Sequence, residues 1–155
     1  MASNGPLMCC FDGSENATEA VETCAALFPG RETAIVCFWQ PFAEVAHRYA
    51  RSLLEIVQDA GSVNQREQAL AEQTAAAGAD LASKLGLDAT PHAVEASRAL
   101  DEAIIKCADE LDASMIALAS RGRGGVRAVL LGNVAAAVLQ RSSRPVLIVP
   151  ANGSG

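Results

Sequence analysis

Apolar runs without polar interruptions alternate with segments of helical periodicity along most of this chain. The runs occupy residues 7–11, 34–39, 115–119 and 145–149, and a weaker strand at 90–95 is assigned mainly by its position. Strands of a parallel sheet that is covered on both faces are apolar throughout, whereas half-exposed strands alternate. The pattern therefore predicts an α/β fold, a doubly wound five-stranded parallel sheet with helices on both faces.

The first helix is predicted directly after the first strand. Apolar residues spaced three and four apart form one continuous stripe over residues 17–28. Ser14 and Asn16 are both suitable N-cap residues, because a short polar side chain can accept a hydrogen bond from the first turn. Asp12 ends the first strand, where it either contacts a ligand or caps this turn.

The remaining helices follow from the same spacing of apolar residues. Stripes predict helices over residues 100–111 and 133–140. The long crossover from residue 42 to residue 85 is expected to be mostly helical. Gly61 and Ser62 are expected to interrupt it, since both residues disfavour a helix interior.

The length of 155 residues suits one domain with a substantial core. We expect a disordered N-terminal arm at residues 1–6, a domain over residues 7–150 and a tail at 151–155. No apolar run is long enough to span a bilayer, and the first residues lack the basic start and apolar stretch of a signal peptide. A cytoplasmic protein with no membrane partner is therefore expected.

Cysteine and histidine patterns do not indicate a metal site. The five cysteines form no C-x-x-C pair and lie in apolar stretches, so we interpret them as small buried hydrophobic residues. His47 and His92 are far apart and have no ligand spacing around them, which argues against zinc. If Mg²⁺ accompanies a bound ligand, Asp12 is the only candidate metal ligand.

Charge is distributed unevenly along the chain. The formal net charge is −6, and all 18 acidic residues lie before residue 113. Residues 113–155 contain five arginines and no acidic residue. The whole chain should repel nucleic acid, whereas its last third should attract a compact anion such as a phosphate-bearing small molecule.

A glycine-rich loop and a second glycine turn follow the fourth strand. Residues 120–125 read Ser-Arg-Gly-Arg-Gly-Gly, and Gly132-Asn133 opens the last helix. Such turns expose backbone N–H donors, and a helix N-terminus carries partial positive charge, so the segment can bind phosphate. A tight turn between strand and helix would give the same pattern. The dinucleotide fingerprint and the P-loop motif are both absent.

Taken with its flanking motifs, this loop resembles that of the universal stress protein family, single-domain ATP-binding type. The family signature is Gly, two residues, Gly, nine residues, Gly, then Ser or Thr. It falls here on Ala119, Gly122, Gly132 and Asn133. Residues 9–15, 129–132 and 143–149 also resemble the family, and the likeness spans most of residues 7–149.

The resemblance implies a site for an adenine nucleotide, ATP or AMP, bound with or without Mg²⁺. It implies that Asp12 meets the ribose and Phe38 the adenine, while the turns after the fourth strand bind the phosphates. It also implies a homodimer joined through the last strand, residues 146–149. The predicted nucleotide-binding residues are Asp12, Phe38, Ala119, Gly122, Arg123, Gly125, Gly132, Asn133 and Val134.

Two departures from the signature keep three functions open. Ala119 replaces a glycine and Asn133 replaces a hydroxyl residue, although asparagine is an equally good helix cap. The first function is a dimeric nucleotide-binding stress or regulatory protein without strong catalytic activity. The second is an interaction module that has lost its nucleotide. The third is a slow ATP hydrolase, which has little support because no acidic residue accompanies the phosphate loop.

Overall fold

The computed structural model describes residues 3–41, 60–121 and 131–151. Within these ranges the strands are β1 (Leu7–Cys10), β2 (Glu32–Trp39), β3 (Asp88–Glu95), β4 (Met115–Ala119) and β5 (Val146–Val149). The helices are α1 (Glu15–Leu27), α2 (Ala60–Lys84), α3 (Leu100–Glu110) and α4 (Asn133–Arg141). Four of these strands overlap the predicted apolar runs, and β3 overlaps the strand that was assigned by its position at residues 90–95.

All described strands form one parallel sheet in the order β3-β2-β1-β4-β5. The chain winds from β1 outward to β3, then returns to the other side of β1 and continues to β5. The winding direction reverses between β1 and β4, which places two loops side by side at that point. The predicted doubly wound parallel sheet is confirmed.

Helices cover both faces of the sheet, as the uninterrupted apolar strands require. On one face α1 and α2 pack on a cluster that includes Cys9, Ile35 and Ala117. On the other face α3 and α4 pack on a cluster that includes Met8 and Ile116. Neighbouring residues of each strand therefore point into opposite cores, so every position in β1 and β4 must be apolar.

Ser14 is the N-cap of α1. Its hydroxyl oxygen accepts a hydrogen bond from the backbone N–H of Ala17 at 3.1 Å, and its φ and ψ are extended. Of the two candidates for this position, the structure selects Ser14, and Asn16 lies inside the first turn. The side chain of Asn16 is thus available for another contact.

The expectation that Gly61 and Ser62 interrupt the crossover helix is wrong. Both residues lie inside α2, which runs without a break from Ala60 to Lys84. A glycine costs a helix interior about 1 kcal/mol relative to alanine, and the many Ala, Glu and Gln residues that follow offset that cost. The earlier part of the predicted crossover, residues 42–59, lies outside the described residues.

Within α2, Gly78 permits the helix to approach the sheet closely. A Cβ atom at this position would lie 2.5 Å from Cδ1 of Phe11 and 2.9 Å from Cγ2 of Ile35. The aromatic ring therefore occupies the space that a side chain at residue 78 would need. None of the helices in the described ranges is long and apolar enough to cross a membrane.

Residues 3–6, which the sequence assigns to a disordered arm, are hydrogen-bonded at the amino edge of the sheet. The hydroxyl of Ser3 donates to the carbonyl of Asp112 at 2.7 Å, and Arg31 donates to the carbonyl of Gly5 at 3.0 Å. The backbone N–H of Ser114 donates to the carbonyl of Pro6 at 2.9 Å. The domain boundaries at residues 7 and 150 remain predictions.

Candidate functional site at the carboxyl edge of the sheet

Strand register brings Asp12, Phe38 and Ser120 to one level at the carboxyl edge of the sheet. Cys10 pairs with Val36 across β1 and β2, and the N–H of Phe11 continues that ladder by donating to the carbonyl of Val36 at 2.9 Å. β1 and β4 pair in register from their first residues. Residues 12, 38 and 120 therefore lie at the same level of the sheet. Asp12 and Ser120 follow β1 and β4, and Phe38 is the penultimate residue of β2.

Asp12 takes part in the turn between β1 and α1. One carboxylate oxygen accepts a hydrogen bond from the backbone N–H of Ser14 at 2.9 Å, and Gly13 between them has a φ of +82°. Aspartate stabilises such turns through this contact. The side chain is partly exposed at the reversal point. The turn role is therefore present, and contact with a ligand remains a prediction.

Ser120 is a buried polar residue that the sequence analysis did not single out. Its hydroxyl accepts a hydrogen bond from the N–H of Ala151 at 3.1 Å, and its N–H donates to the carbonyl of Val149 at 2.9 Å. Its own carbonyl accepts from the N–H of Gly132 at 2.6 Å. The signal for this role was a hydroxyl residue placed directly after a fully apolar strand.

Gly132 allows α4 to begin in contact with the end of β4. A Cβ atom here would lie 3.0 Å from the carbonyl oxygen of Ser120. The φ of Gly132 is −66°, which any residue adopts, so the close approach and not the conformation favours glycine. The predicted helix start at Gly132-Asn133 is confirmed.

Among the residues that the structure describes, no side chain caps the N-terminus of α4. Gly132 occupies the N-cap position, and its carbonyl accepts the first helical hydrogen bond from Ala136 at 2.9 Å. The N–H groups of the first turn, at Asn133 and Val134, therefore have no N-cap side chain as a partner. Together with the helix dipole, these donors favour an anion at this position.

Phe38 and Val134 contribute to the same core face. Both side chains are partly buried and pack against the cluster between the sheet and helices α3 and α4. Phe38 pairs in register with Val94, which packs on the same cluster. Ala119 is partly exposed at the end of β4 and pairs with Val149, whereas Asn133 is exposed at the helix start.

Asn16 links the two loops at the reversal point. Its side-chain Nδ2 donates to the backbone carbonyl of Arg121 at 3.3 Å, across 105 residues of sequence. Arg121 follows β4 and Asn16 lies in the first turn of α1, so the bond joins the elements that flank the predicted site. Residues 122–130 lie outside the described residues, and with them the predicted site residues Gly122, Arg123 and Gly125.

Two of the five arginines in the last third of the chain are paired away from this edge. Arg141, in the last turn of α4, pairs with Asp101 at 2.9 Å. Arg144 pairs with Asp109 and with Asp112. The basic character of residues 113–155 is thus partly neutralised by α3 and the turn after it. Of these pairs, those of Arg144 lie beside the amino ends of β4 and β5, at the opposite end of the sheet from Asp12.

Burial raises the pKa values of the Cys10 and Cys107 thiols. All five thiols are free, and four of them are buried. Burial raises the pKa of the Cys107 thiol to about 11, and burial beside Cys107 and Asp12 raises the pKa of Cys10 well above its usual range. In the described residues, no group of three His, Cys, Asp or Glu side chains could hold a metal. A Mg²⁺ ligand role for Asp12 remains a prediction.

The sequence matches the model of one protein family over nearly its whole length. Residues 4–150 match the model of the universal stress protein family. Comparison with curated protein sequences gives no match.

Several solved structures have the same fold. Hypothetical protein MJ0577 is 19% identical with a TM-score of 0.73, and the alignment covers 95% of this chain and 96% of that one. A universal stress protein crystallised with cAMP is 22% identical with a TM-score of 0.59, covering 95% and 97%. The Archaeoglobus fulgidus universal stress protein in complex with dAMP is 18% identical with a TM-score of 0.60, covering 96% and 98%. At these identities the likeness establishes the fold.

Proposed function

This chain belongs to the universal stress protein family, and we propose that it binds an adenine nucleotide at the carboxyl edge of its sheet. The observation that carries the proposal is the juxtaposition at the reversal point. There, the carboxylate of Asp12 and the uncapped N-terminus of α4 follow two adjacent strands. One group suits sugar hydroxyls and the other suits phosphate, so together they favour a phosphorylated nucleoside.

Other residues at this edge suit the remaining parts of the ligand. Phe38 offers an aromatic ring at the end of β2, one strand away from Asp12, where an adenine ring could stack. Ala119 and Gly132 add little side-chain bulk beside the phosphate position. The adenine nucleotides bound by two of the similar proteins, cAMP and dAMP, support this choice of base.

Asn133 sets the expected number of phosphates. A hydroxyl residue stands in the family signature at this position, whereas the longer asparagine amide occupies the exposed start of α4 here. Its NH₂ group can donate to a phosphate oxygen, but at a different distance from the backbone. We therefore expect at least one phosphate to be bound, with ATP and AMP as the ligands to compare and Mg²⁺ as a possible companion of ATP.

Binding without rapid turnover is the proposed activity. Phosphoryl transfer needs carboxylates that hold a metal and a group that positions the nucleophile. Residues 113–155 contain no acidic residue, so Asp12 would have to hold the metal alone. The proposed role is a cytoplasmic regulatory or stress-response protein that changes state with nucleotide occupancy, and slow ATP hydrolysis is the second candidate.

Calorimetric titration tests nucleotide binding directly. We expect ATP or AMP to bind with a dissociation constant below about 1 mM, a free energy of about −4 kcal/mol or better. GTP serves as the control for base recognition, and inorganic phosphate as the control for a bare anion. If neither adenine nucleotide gives heat at about millimolar concentration, the chain is an interaction module of the same fold and the proposal fails.

A homodimer joined through β5 is part of the proposal. Within the described residues β5 pairs only with β4, so its outer edge presents backbone hydrogen-bonding groups. A groove of about 370 Å³ lies beside it, lined by residues of α1 and β5 that include Glu22 and Leu147. We expect sedimentation equilibrium at micromolar concentration to give twice the 16.0 kDa chain mass. The monomer mass throughout that range would contradict the dimer.

A further inference from the structure

The side-chain amide of Asn16 donates a hydrogen bond to the distant residue Arg121 and does not cap its own helix, α1. Ser14 already caps α1, and the hydroxyl of Thr18 donates to the carbonyl of Ser14 at 3.1 Å. Asparagine is among the weaker residues in a helix interior, where alanine or glutamate is preferred. The hydrogen bond to the carbonyl of Arg121 is therefore the structural contribution of the Asn16 amide.

A carbonyl partner defines which group of Asn16 faces the fourth strand. Because the oxygen of Arg121 can only accept, the NH₂ of Asn16 must point toward it. The contact thus depends on a donor at residue 16 and is lost with any side chain that lacks one. A carboxylate of the same shape would place two acceptors against each other.

The residue that precedes Arg121 is held by hydrogen bonds to three other residues. Ser120 precedes Arg121, and its backbone and hydroxyl groups are bonded to Val149, Ala151 and Gly132. Its carbonyl receives the N–H of Gly132 at 2.6 Å, immediately before the uncapped start of α4. A short run of contacts therefore connects the first turn of α1, through Arg121 and Ser120, to the start of α4.

We propose that Asn16 is a positioning residue that sets the distance between Asp12 and the phosphate-binding start of α4. This inference rests on the proposed nucleotide site. Asp12 lies in the turn after β1 and Asn16 lies four residues later, in the first turn of α1. The amide therefore ties the part of the site that receives the sugar to the part that receives phosphate. Asn16 itself touches no ligand atom in this role.

The role predicts a selective loss of affinity. Without the tie, the main chain at Arg121 and the start of α4 can shift relative to α1, which weakens contacts to phosphate. The contacts to adenosine depend on Asp12, which follows β1, and on Phe38, which lies in β2, and these two strands pair directly in the sheet. Phosphate binding should therefore suffer while nucleoside binding persists.

The experiment compares ATP and adenosine binding by calorimetry in the whole chain. Asn16→Ala removes the donor and improves helix propensity, so the fold is retained. We expect its affinity for ATP to fall about three- to ten-fold, the range for one neutral hydrogen bond. We expect its affinity for adenosine to change by less than about two-fold. Asn16→Gln retains an amide donor and should recover most of the ATP affinity.

A matched control removes an equivalent amide elsewhere. Gln68 donates to Glu72 at the same 3.3 Å on an exposed part of α2, so Gln68→Ala should leave both affinities unchanged. Equal losses for ATP and adenosine in Asn16→Ala, or no loss for ATP, would overturn the positioning role alone. If the wild-type chain binds neither ligand, the proposed function fails and this role fails with it.

Discussion

Replacing Asp12 by asparagine is expected to weaken adenosine binding by about 10- to 100-fold and to weaken ATP binding by a smaller factor. In the proposed site the carboxylate accepts charge-assisted hydrogen bonds from ribose hydroxyls, and such bonds contribute about 1.5–3 kcal/mol each. In the wild-type chain the N–H of Ser14 donates to Asp12 Oδ1 at 2.9 Å. The asparagine side chain keeps an oxygen that can accept this hydrogen bond, so the turn should be retained. Calorimetric titration of the variant with both ligands measures the loss.

The adenosine titration is the decisive arm of that experiment. Removing a negative charge near phosphates also lowers repulsion, which would mask part of the loss for ATP. Asp88→Asn is the matched control, because this exposed aspartate begins β3 at the opposite edge of the sheet. An Asp12→Asn protein that binds adenosine as tightly as the wild type would remove Asp12 from the site.

Replacing Gly132 by valine is expected to reduce ATP affinity by more than about tenfold and to leave adenosine affinity close to wild type. A Cβ atom would stand 3.0 Å from the carbonyl of Ser120, which already accepts the N–H of residue 132 at 2.6 Å. The start of α4 must therefore move away from β4, and its N–H donors move with it. Overpacking of this kind also costs about 1–3 kcal/mol of stability.

Thermal unfolding and calorimetry together separate these two effects. Gly61→Val is the control, since a Cβ atom at this helical position of α2 meets no described residue within 4 Å. That variant should keep wild-type stability and both affinities. If Gly132→Val binds ATP normally, the N-terminus of α4 does not hold the phosphates.

The sheet was predictable because its strands are apolar on both faces. Residues 34–39 and 115–119 carry no polar interruption, and that pattern has few solutions other than a covered parallel sheet. The ends of the first and fourth predicted strands then placed Asp12 and the loop after β4 at the carboxyl edge of the sheet. The start of α4 followed from Gly132 and Asn133, which together have the chemistry of a helix N-terminus.

Contacts between distant segments were not predictable from local pattern. The bond from Asn16 to Arg121 depends on how α1 crosses the end of β4, and no local spacing encodes that crossing. Ser120 was overlooked because a serine after a strand also suits an ordinary loop. Gly61 was misjudged because its intrinsic cost to a helix was weighed without the favourable residues that surround it in α2.

A crystal structure of the chain with ATP would test the central claim most directly. The account predicts a nucleotide at the reversal point, with phosphate oxygens about 2.7–3.2 Å from the backbone nitrogens of Asn133 and Val134. It also predicts that Asp12 contacts the ribose and that Phe38 lies against the adenine. A nucleotide bound elsewhere, or phosphates that point away from α4, would contradict it.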